Sequence, residues 1–239
     1  MKRIKIIFGC ALLLLCQFAF AQETPLQVIG KMRKTYDDAR SYSMHVTLRL
    51  FAKSQDASAL VTAEGEVKVS GTNYYSSMLG KTTVVNDDYQ LVTDEKQHVI
   101  LVATAHHANK RDRANTLLDS SLYEGYQLKF LEQSPTLNRI EIIVNDPEAG
   151  YNSIQLHIDP SNYTLVKVEY YYKKGSPGMS TYEKTTISYS NIKLNDKIPD
   201  SAFDSDEFFT QKKGELVQTP AYATYRLIDQ RDKNIPVIK

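Results

Sequence analysis

The 239-residue sequence contains no tryptophan, and its only two cysteines, Cys10 and Cys16, both lie close to the N-terminus. A mature chain without that segment has no thiol for a disulfide, a nucleophile or a metal site. An excess of charge of one sign is also missing. The same N-terminal segment contains Lys2, Arg3 and Lys5. Once it is removed, the chain holds 26 basic and 28 acidic residues, and its net charge of −2 argues against a general nucleic-acid-binding protein.

The first 21 residues have the pattern of an export signal. A basic start leads into an apolar run that reaches Phe20, and Ala21 closes a small-x-small motif. We therefore predict a signal peptide over 1–21, cleaved near Ala21, and a periplasmic protein. Lipid attachment at Cys16 is the alternative, although Leu15 stands where a lipoprotein signal requires a small residue.

One helix is predicted at the start of the mature chain. Thr24 can cap it, Pro25 suits its first position, and Gln27 completes a capping box. Apolar residues then recur at helical spacing on one side: Leu26, Ile29, Met32, Tyr36 and Ala39. This pattern predicts a helix that ends near Arg40 and lays its apolar stripe on a sheet.

Strands are predicted for most of the remaining chain, and the 16 tyrosines favour them. Eleven stretches alternate in polarity, at roughly 42–50, 60–70, 73–79, 82–86, 88–93, 97–103, 126–132, 138–144, 152–159, 163–172 and 181–190. Short turn-like connections make successive strands antiparallel neighbours. Residues 104–123 lack this alternation, and we predict short helices there, around 108–119. From Asn191 onward the chain is predicted to be mostly turn and irregular.

These elements predict an α+β fold that is mainly β. A sheet of ten or eleven strands must curl or close, so we expect a strongly curved antiparallel sheet, an unclosed half-barrel, with a helical lid. The domain is predicted to span 22–211, and 212–239 would be a C-terminal extension. Two helices cannot cover so wide a face, which leaves a concave apolar surface for a ligand.

Candidates for catalysis and metal binding are few. Adjacent side chains such as His106-His107 point apart, so they are poorly placed to share one metal ion. The paired acids Asp87-Asp88 and Asp94-Glu95 fall in turns, where turn chemistry explains them. Three further histidines lie on polar strand faces and are expected to be solvated: His45, His98 and His157. We predict a protein that is not an enzyme and needs no metal or cofactor.

The apolar strand faces are more informative than the polar residues. Twelve residues are predicted to point inward on the curved sheet and to line a lipid-binding cavity: Met44, Val46, Leu48, Leu50, Val67, Val69, Ile140, Ile142, Leu156, Ile158, Val166 and Val168. For most single positions an ordinary core is the simpler interpretation. The ligand hypothesis therefore concerns the set, in a pocket that adapts to variable acyl chains.

The order of these elements matches a known pattern. A capped helix ending in residues 36–41 (YDDARS) precedes two long alternating strands, the second around 64–69 (EGEVKV). A hairpin over 154–172 and a strand within 186–203 follow, and the latter segment ends in IPDSAF. Over roughly 24–209 the chain resembles the LolA-like family, the periplasmic carriers that move lipoproteins to the outer membrane. The resemblance implies an unclosed, bent sheet whose helices act as a lid over an apolar cavity.

The resemblance also implies a function. The protein is expected to hold acyl chains of a lipoprotein, or another lipid, for outer-membrane lipoprotein sorting or a related transport, with partners at both membranes and no nucleic acid. Residues 108–119 would belong to the lid, and Arg40 and Arg49 are positional candidates for an arginine that locks it. The alternative is a non-catalytic structural or adaptor protein of the cell envelope that docks through its C-terminal tail.

Overall fold

The computed structural model of the chain describes residues 23–105, 126–146, 148–174 and 181–231. The predicted signal peptide and the predicted helical insertion, with its histidine pair, lie outside these ranges. Within them, no helix is both long and apolar enough to cross a membrane.

Helix α1 (Pro25–Asp38) begins as the sequence predicts. The Thr24 side chain accepts a hydrogen bond from the backbone N–H of Gln27, and the Gln27 side chain completes the capping box. The buried stripe is Val28, Ile29, Met32 and Tyr36. Leu26 was predicted to be part of it but is 46% exposed, because the stripe is rotated towards Val28. The helix ends two residues before the predicted Arg40, since Ala39 already has an extended backbone.

Polar contacts fix α1 to one end of the sheet. The Tyr36 hydroxyl accepts a hydrogen bond of 3.3 Å from the backbone N–H of Leu165, and its ring meets that of Tyr42 edge-on. The Thr35 hydroxyl donates to the carbonyl of Asn162 over 3.2 Å. Burial raises the pKa of Tyr36 to about 12, so its hydroxyl keeps its proton. The helix is therefore an anchored part of the fold.

All eleven predicted strands are present, with boundaries shifted by a few residues. They are β1 (Ser41–Phe51), β2 (Val61–Ser70), β3 (Asn73–Met78), β4 (Lys81–Val85), β5 (Tyr89–Asp94), β6 (Val99–Thr104), β7 (Gln127–Gln133), β8 (Asn138–Ile143), β9 (Tyr151–Ile158), β10 (Leu165–Tyr172) and β11 (Lys184–Leu194). The predicted fold class is confirmed: the protein is mainly β, with a large curved antiparallel sheet that does not close.

The C-terminal segment differs from the sequence prediction. Strands β12 (Phe209–Lys212) and β13 (Glu215–Gln218) form a hairpin across the predicted domain boundary at residue 211. Strand β14 (Arg226–Asp229) then joins the main sheet parallel to β6, giving the order β14-β6-β5-β4-β3-β2-β1-β11-β10-β9-β8-β7. Strands of four residues are too short to show alternation, and the pairing of β14 with distant β6 leaves no local signal.

The sheet is buried on opposite faces in its two halves. Four residues stand opposite one another on successive strands and therefore project from the same face: Tyr42, Val69, Tyr74 and Val85. This is the face that α1 covers, which we call the helix face. Val84 therefore projects from the other side, which we call the tail face. The helix-face core joins α1 to β8, β9 and β10. The tail-face core joins β4, β5 and β6 to three aromatic residues of the C-terminal segment: Phe203, Phe208 and Phe209.

Two glycines give opposite predictions for substitution by alanine. A Cβ on Gly65 would stand 2.1 Å from the backbone oxygen of Ser77 on neighbouring β3, whereas a Cβ on Gly30 meets nothing within 4 Å. We expect Gly65→Ala to lower the free energy of unfolding by about 1–3 kcal/mol, because the backbone must shift. Gly30→Ala should raise it by about 0.5–1 kcal/mol, because alanine favours a helix. Urea unfolding of both variants measures this, and two changes of the same sign would contradict the packing described.

Candidate functional site

Apolar side chains on the helix face form rows that run across neighbouring strands. Strand register aligns one row from β1 to β7: Leu48, Ile187, Val168, Leu156, Ile140 and Phe130. The adjacent row has a single polar member, Thr185, and consists of Leu50, Thr185, Tyr170, Ile154, Ile142 and Leu128. Opposed Cβ atoms in antiparallel strands are about 4.5–5.5 Å apart, so each row is nearly continuous apolar surface.

Burial decreases along the first row from β10 to β1. Val168, Leu156 and Ile140 are completely buried, whereas Leu48 and Ile187 are only half-buried. Leu48 is in register with Ala63 of β2, and Leu50 with Val61. We call these five half-buried residues the central patch: Leu48, Leu50, Val61, Ala63 and Ile187. None of them belongs to either buried core.

Polar side chains interrupt the helix face on β3 to β5. Ser76 and Thr83 continue the helix-face row that begins at Val67. Further along the same face, the Lys81 Nζ lies 3.5 Å from the Asp94 carboxylate. The helix face of β3 to β6 is therefore mixed in polarity, because the same row continues from Thr83 to the half-buried apolar residues Val92 and Leu101.

The twelve residues predicted to line a cavity lie in different surroundings. Eight of them belong to the helix-face core or pack against it: Met44, Val67, Val69, Ile140, Ile142, Leu156, Ile158 and Val168. Leu48 and Leu50 lie in the central patch. Val46 is buried at 3% exposure without belonging to either core. Their role in ligand binding stays a prediction.

Val166 is displaced from the row by an irregularity in β10. The pairing of β10 with β9 shifts between Leu165 and Lys167, so Leu165 stands opposite Ile158 and packs into the helix-face core. Sequence analysis also did not select Ile187 and Tyr170, which extend the same rows. Alternation in β10 and β11 could have found these two, but nothing in the sequence marks the shifted pairing.

The three histidines of the described strands and turns are placed differently from one another. The prediction that His157 is solvated is wrong, because it is 5% exposed and its Nε2 lies 3.0 Å from a Glu169 carboxylate oxygen. The hydrogen bond from His157 is the main cause that lowers the pKa of Glu169 to about 2. His45 is half-buried, 3.7 Å from Glu64, and His98 is exposed. Among the described residues no cluster of acidic or histidine side chains could hold a metal ion.

The two arginines that the resemblance suggested occupy different surfaces. Arg49 is exposed and adjacent to Leu48 and Leu50 in β1, so it lies on the tail face, away from the apolar rows. Arg40 is exposed between α1 and β1, at the end of the sheet. Neither lines the central patch.

Comparison with known proteins finds similar architectures at low sequence identity. No family model and no curated protein matches the chain. An uncharacterized conserved protein from Thermus thermophilus is 6% identical, with a TM-score of 0.48, 85% of this chain and 97% of that chain being covered. A LolA superfamily protein from Nitrosomonas europaea is 16% identical, with a TM-score of 0.34 and coverages of 77% and 99%. The lipoprotein LppX from Mycobacterium tuberculosis is 14% identical, with a TM-score of 0.43 and coverages of 73% and 96%.

One of these solved structures is a member of the superfamily that the sequence resembles. At such TM-scores the likeness carries no information on ligand or mechanism. The function must therefore be inferred from the chain's own side chains.

Proposed function

We propose that this protein is a non-catalytic periplasmic carrier that binds acyl chains against the helix face of its sheet. The central patch is the observation that carries the proposal. Its five residues are apolar and half-buried, belong to neither core, and adjoin the helix-face core where Ile187 stands opposite the completely buried Val168. A ligand on this patch would extend the helix-face core.

An acyl chain suits the patch for a physical reason. Its side chains offer apolar contact without hydrogen-bond donors or acceptors, and a methylene chain has no polar group to satisfy. Each buried methylene contributes about 0.8 kcal/mol, so six of them contribute about 5 kcal/mol before the cost of association. No chemical step is needed for such a carrier, because binding and release transfer the lipid.

The cellular role follows from the predicted export signal. A lipid-binding protein released into the periplasm can carry acyl chains through water between the two membranes. Sorting of outer-membrane lipoproteins, or a related lipid transport with partners at both membranes, is the role that we propose. Lipids extracted from the protein purified from the periplasm would identify the cargo.

The described part of the tail does not favour the adaptor alternative. Four residues beyond position 211 pack against the tail-face core, and β14 is a strand of the main sheet: Leu216, Tyr222, Tyr225 and Leu227. A segment that packs against a core and adds a strand to the main sheet is part of the fold. It is therefore a poor candidate for a free docking arm.

Paired substitutions on adjacent positions test the proposal. Leu48 and Ile187 are opposite each other on the helix face, and Thr47 and Ser188 are opposite each other on the tail face. Leu48→Gln with Ile187→Gln should weaken binding of a fluorescent fatty acid to the mature protein by roughly tenfold or more, because two apolar contacts are lost. Thr47→Gln with Ser188→Gln is the matched control and should leave the affinity within about twofold, by the same reasoning.

Two results would contradict the carrier function. One is equal weakening in both double variants, which would place the fatty acid elsewhere. The other is a wild-type protein that takes up no fatty acid and carries no acyl-bearing species when lipids are extracted from periplasmic preparations. Thermal unfolding of each variant separates loss of binding from loss of folding.

A further inference from the structure

A polar cavity lies at the end of the sheet where α1 leads into β1. Its volume is about 510 Å³, and its walls come from the end of α1, the paired ends of β1 and β2, and the turn after β11. Its polar lining includes Asp38, Arg40, Ser70, Asn195, Asp196 and Lys197. None of the central-patch residues contributes to it. The cavity is therefore separate from the proposed acyl-chain surface.

The two carboxylates of the cavity already have partners. The Asp38 carboxylate lies 2.7 Å from the Nζ of Lys34. The Asp196 carboxylate lies 3.6 Å from the Nζ of Lys193 and accepts a hydrogen bond from the backbone N–H of Lys197. The acceptors that could hold a cation in this cavity are thus engaged by the protein's own donors.

The groups that remain for a ligand are mostly donors. Within the described ranges, no side-chain hydrogen bond or ion pair is found for the Arg40 guanidinium, the Lys197 ammonium or the Ser70 hydroxyl. The Asn195 side-chain oxygen accepts a hydrogen bond of 2.8 Å from the backbone N–H of Arg40. Its amide nitrogen is therefore the part of that side chain with donors to offer.

Charge favours the same class of ligand. The lining holds two cations, Arg40 and Lys197, and two carboxylates. Lys34 and Lys193 lie outside the lining and neutralise these carboxylates, so the two lining cations remain for a ligand. A guanidinium forms paired hydrogen bonds with planar or tetrahedral oxyanions, and an ammonium adds a point charge. The volume falls within the range of small-ligand sites.

We propose that this cavity binds an oxyanion of the phosphate class, with Arg40 and Lys197 as its cationic ligands and Ser70 and Asn195 as further donors. Such an anion could be free phosphate or the headgroup phosphate of a lipid. The proposal goes beyond acyl-chain binding, since it concerns a different surface and a ligand of opposite polarity.

A titration with two probes tests the site. The mature protein is titrated with inorganic phosphate and, separately, with dihexanoyl phosphatidylglycerol below its micelle concentration, while backbone amide NMR signals are followed. Saturable shifts are expected at Ser70 and Asn195. Arg40→Gln with Lys197→Gln should weaken binding by roughly tenfold or more, because two charge-assisted contacts are lost.

A second double variant controls for charge. Lys212 ends β12 and Lys213 lies in the turn that follows. Both are exposed and neither lines the cavity, so Lys212→Gln with Lys213→Gln removes the same charge elsewhere. This variant should bind the probes as the wild type does. Binding of inorganic phosphate that depends on Arg40 and Lys197 supports a site for the free anion. The same dependence seen with phosphatidylglycerol alone supports a headgroup site.

The proposal is overturned by any of three results. The first is that neither probe binds saturably. The second is that both double variants weaken binding equally, and the third is that binding is unaffected by the loss of Arg40 and Lys197. Both variants change only exposed side chains, so thermal unfolding should match that of the wild type.

Discussion

Replacing Phe203 with alanine should lower the free energy of unfolding by about 3–5 kcal/mol, the usual cost of removing a completely buried phenylalanine. Phe203 is 2% exposed and packs in the tail-face core, which includes Val84 and Leu91. Its carbonyl also accepts a hydrogen bond of 3.1 Å from the side-chain amide of Asn86. The truncated side chain would leave a void between the C-terminal segment and the sheet. Urea unfolding followed by circular dichroism measures the change.

An exposed residue of the same segment serves as the control. Val217 is 37% exposed, and Val217→Ala should change the free energy of unfolding by less than about 0.5 kcal/mol. A chain that stops at residue 211 should lose cooperative unfolding, because it lacks β13 and β14. If that shortened chain and Phe203→Ala both unfold like the wild type, the tail is an appendage and not part of the domain.

Replacing Glu169 with glutamine should lower the free energy of unfolding at pH 7 by about 2–3 kcal/mol, because the ionised carboxylate that bonds to His157 is lost. The Glu169 side chain is 12% exposed, lies 3.0 Å from His157 and is also 3.6 Å from the Lys167 ammonium. Its pKa is lowered from 4.5 to about 2, first by the hydrogen bond from His157 and then by the charges of Lys167, His157 and Lys184, against the effect of burial.

The pH dependence of this effect has a definite sign. Because the folded protein holds the Glu169 pKa below that of the unfolded chain, the ionised carboxylate stabilises the fold fully above pH 4.5. That contribution is lost as the pH falls towards 2. The difference between wild type and Glu169→Gln should therefore be largest at neutral pH and should shrink steadily below about pH 4.5.

The matched control is Glu215→Gln, which removes the same charge from an exposed position in β13. It should change the free energy of unfolding by less than about 0.5 kcal/mol at pH 7. Equal effects of Glu169→Gln and Glu215→Gln, or a Glu169→Gln effect that grows on acidification, would show that the His157 contact does not stabilise the carboxylate.

The sequence predicted the elements whose signals lie in neighbouring residues. Thr24, Pro25 and Gln27 identify the start of α1, because a capping box is completed within four positions. Alternation identifies all eleven strands from β1 to β11, because it reports which side of a strand is covered. The helix-face core was predictable in the same way, and eight of the twelve selected residues belong to it or pack against it.

The tail was not predictable from such signals. Phe208 and Phe209 are adjacent, yet both are buried, because the C-terminal segment wraps over the sheet instead of forming a long strand of it. His157 has the alternation of a solvated residue, but Glu169 on the next strand and the neighbouring side chains bury it. Alternation shows that a residue lies on the less apolar face of a strand. It does not show what covers that face.

By itself the sequence determined the capped helix, the strand order along the chain and the polarity of each strand face, since these depend on residues close together in the chain. Only the tertiary structure decided that the two halves of the sheet bury opposite faces, that β14 pairs with β6, and that the central patch stays outside both cores. These features depend on which distant segments meet. Local side-chain chemistry permits several such arrangements, and the packing of the complete sheet selects one.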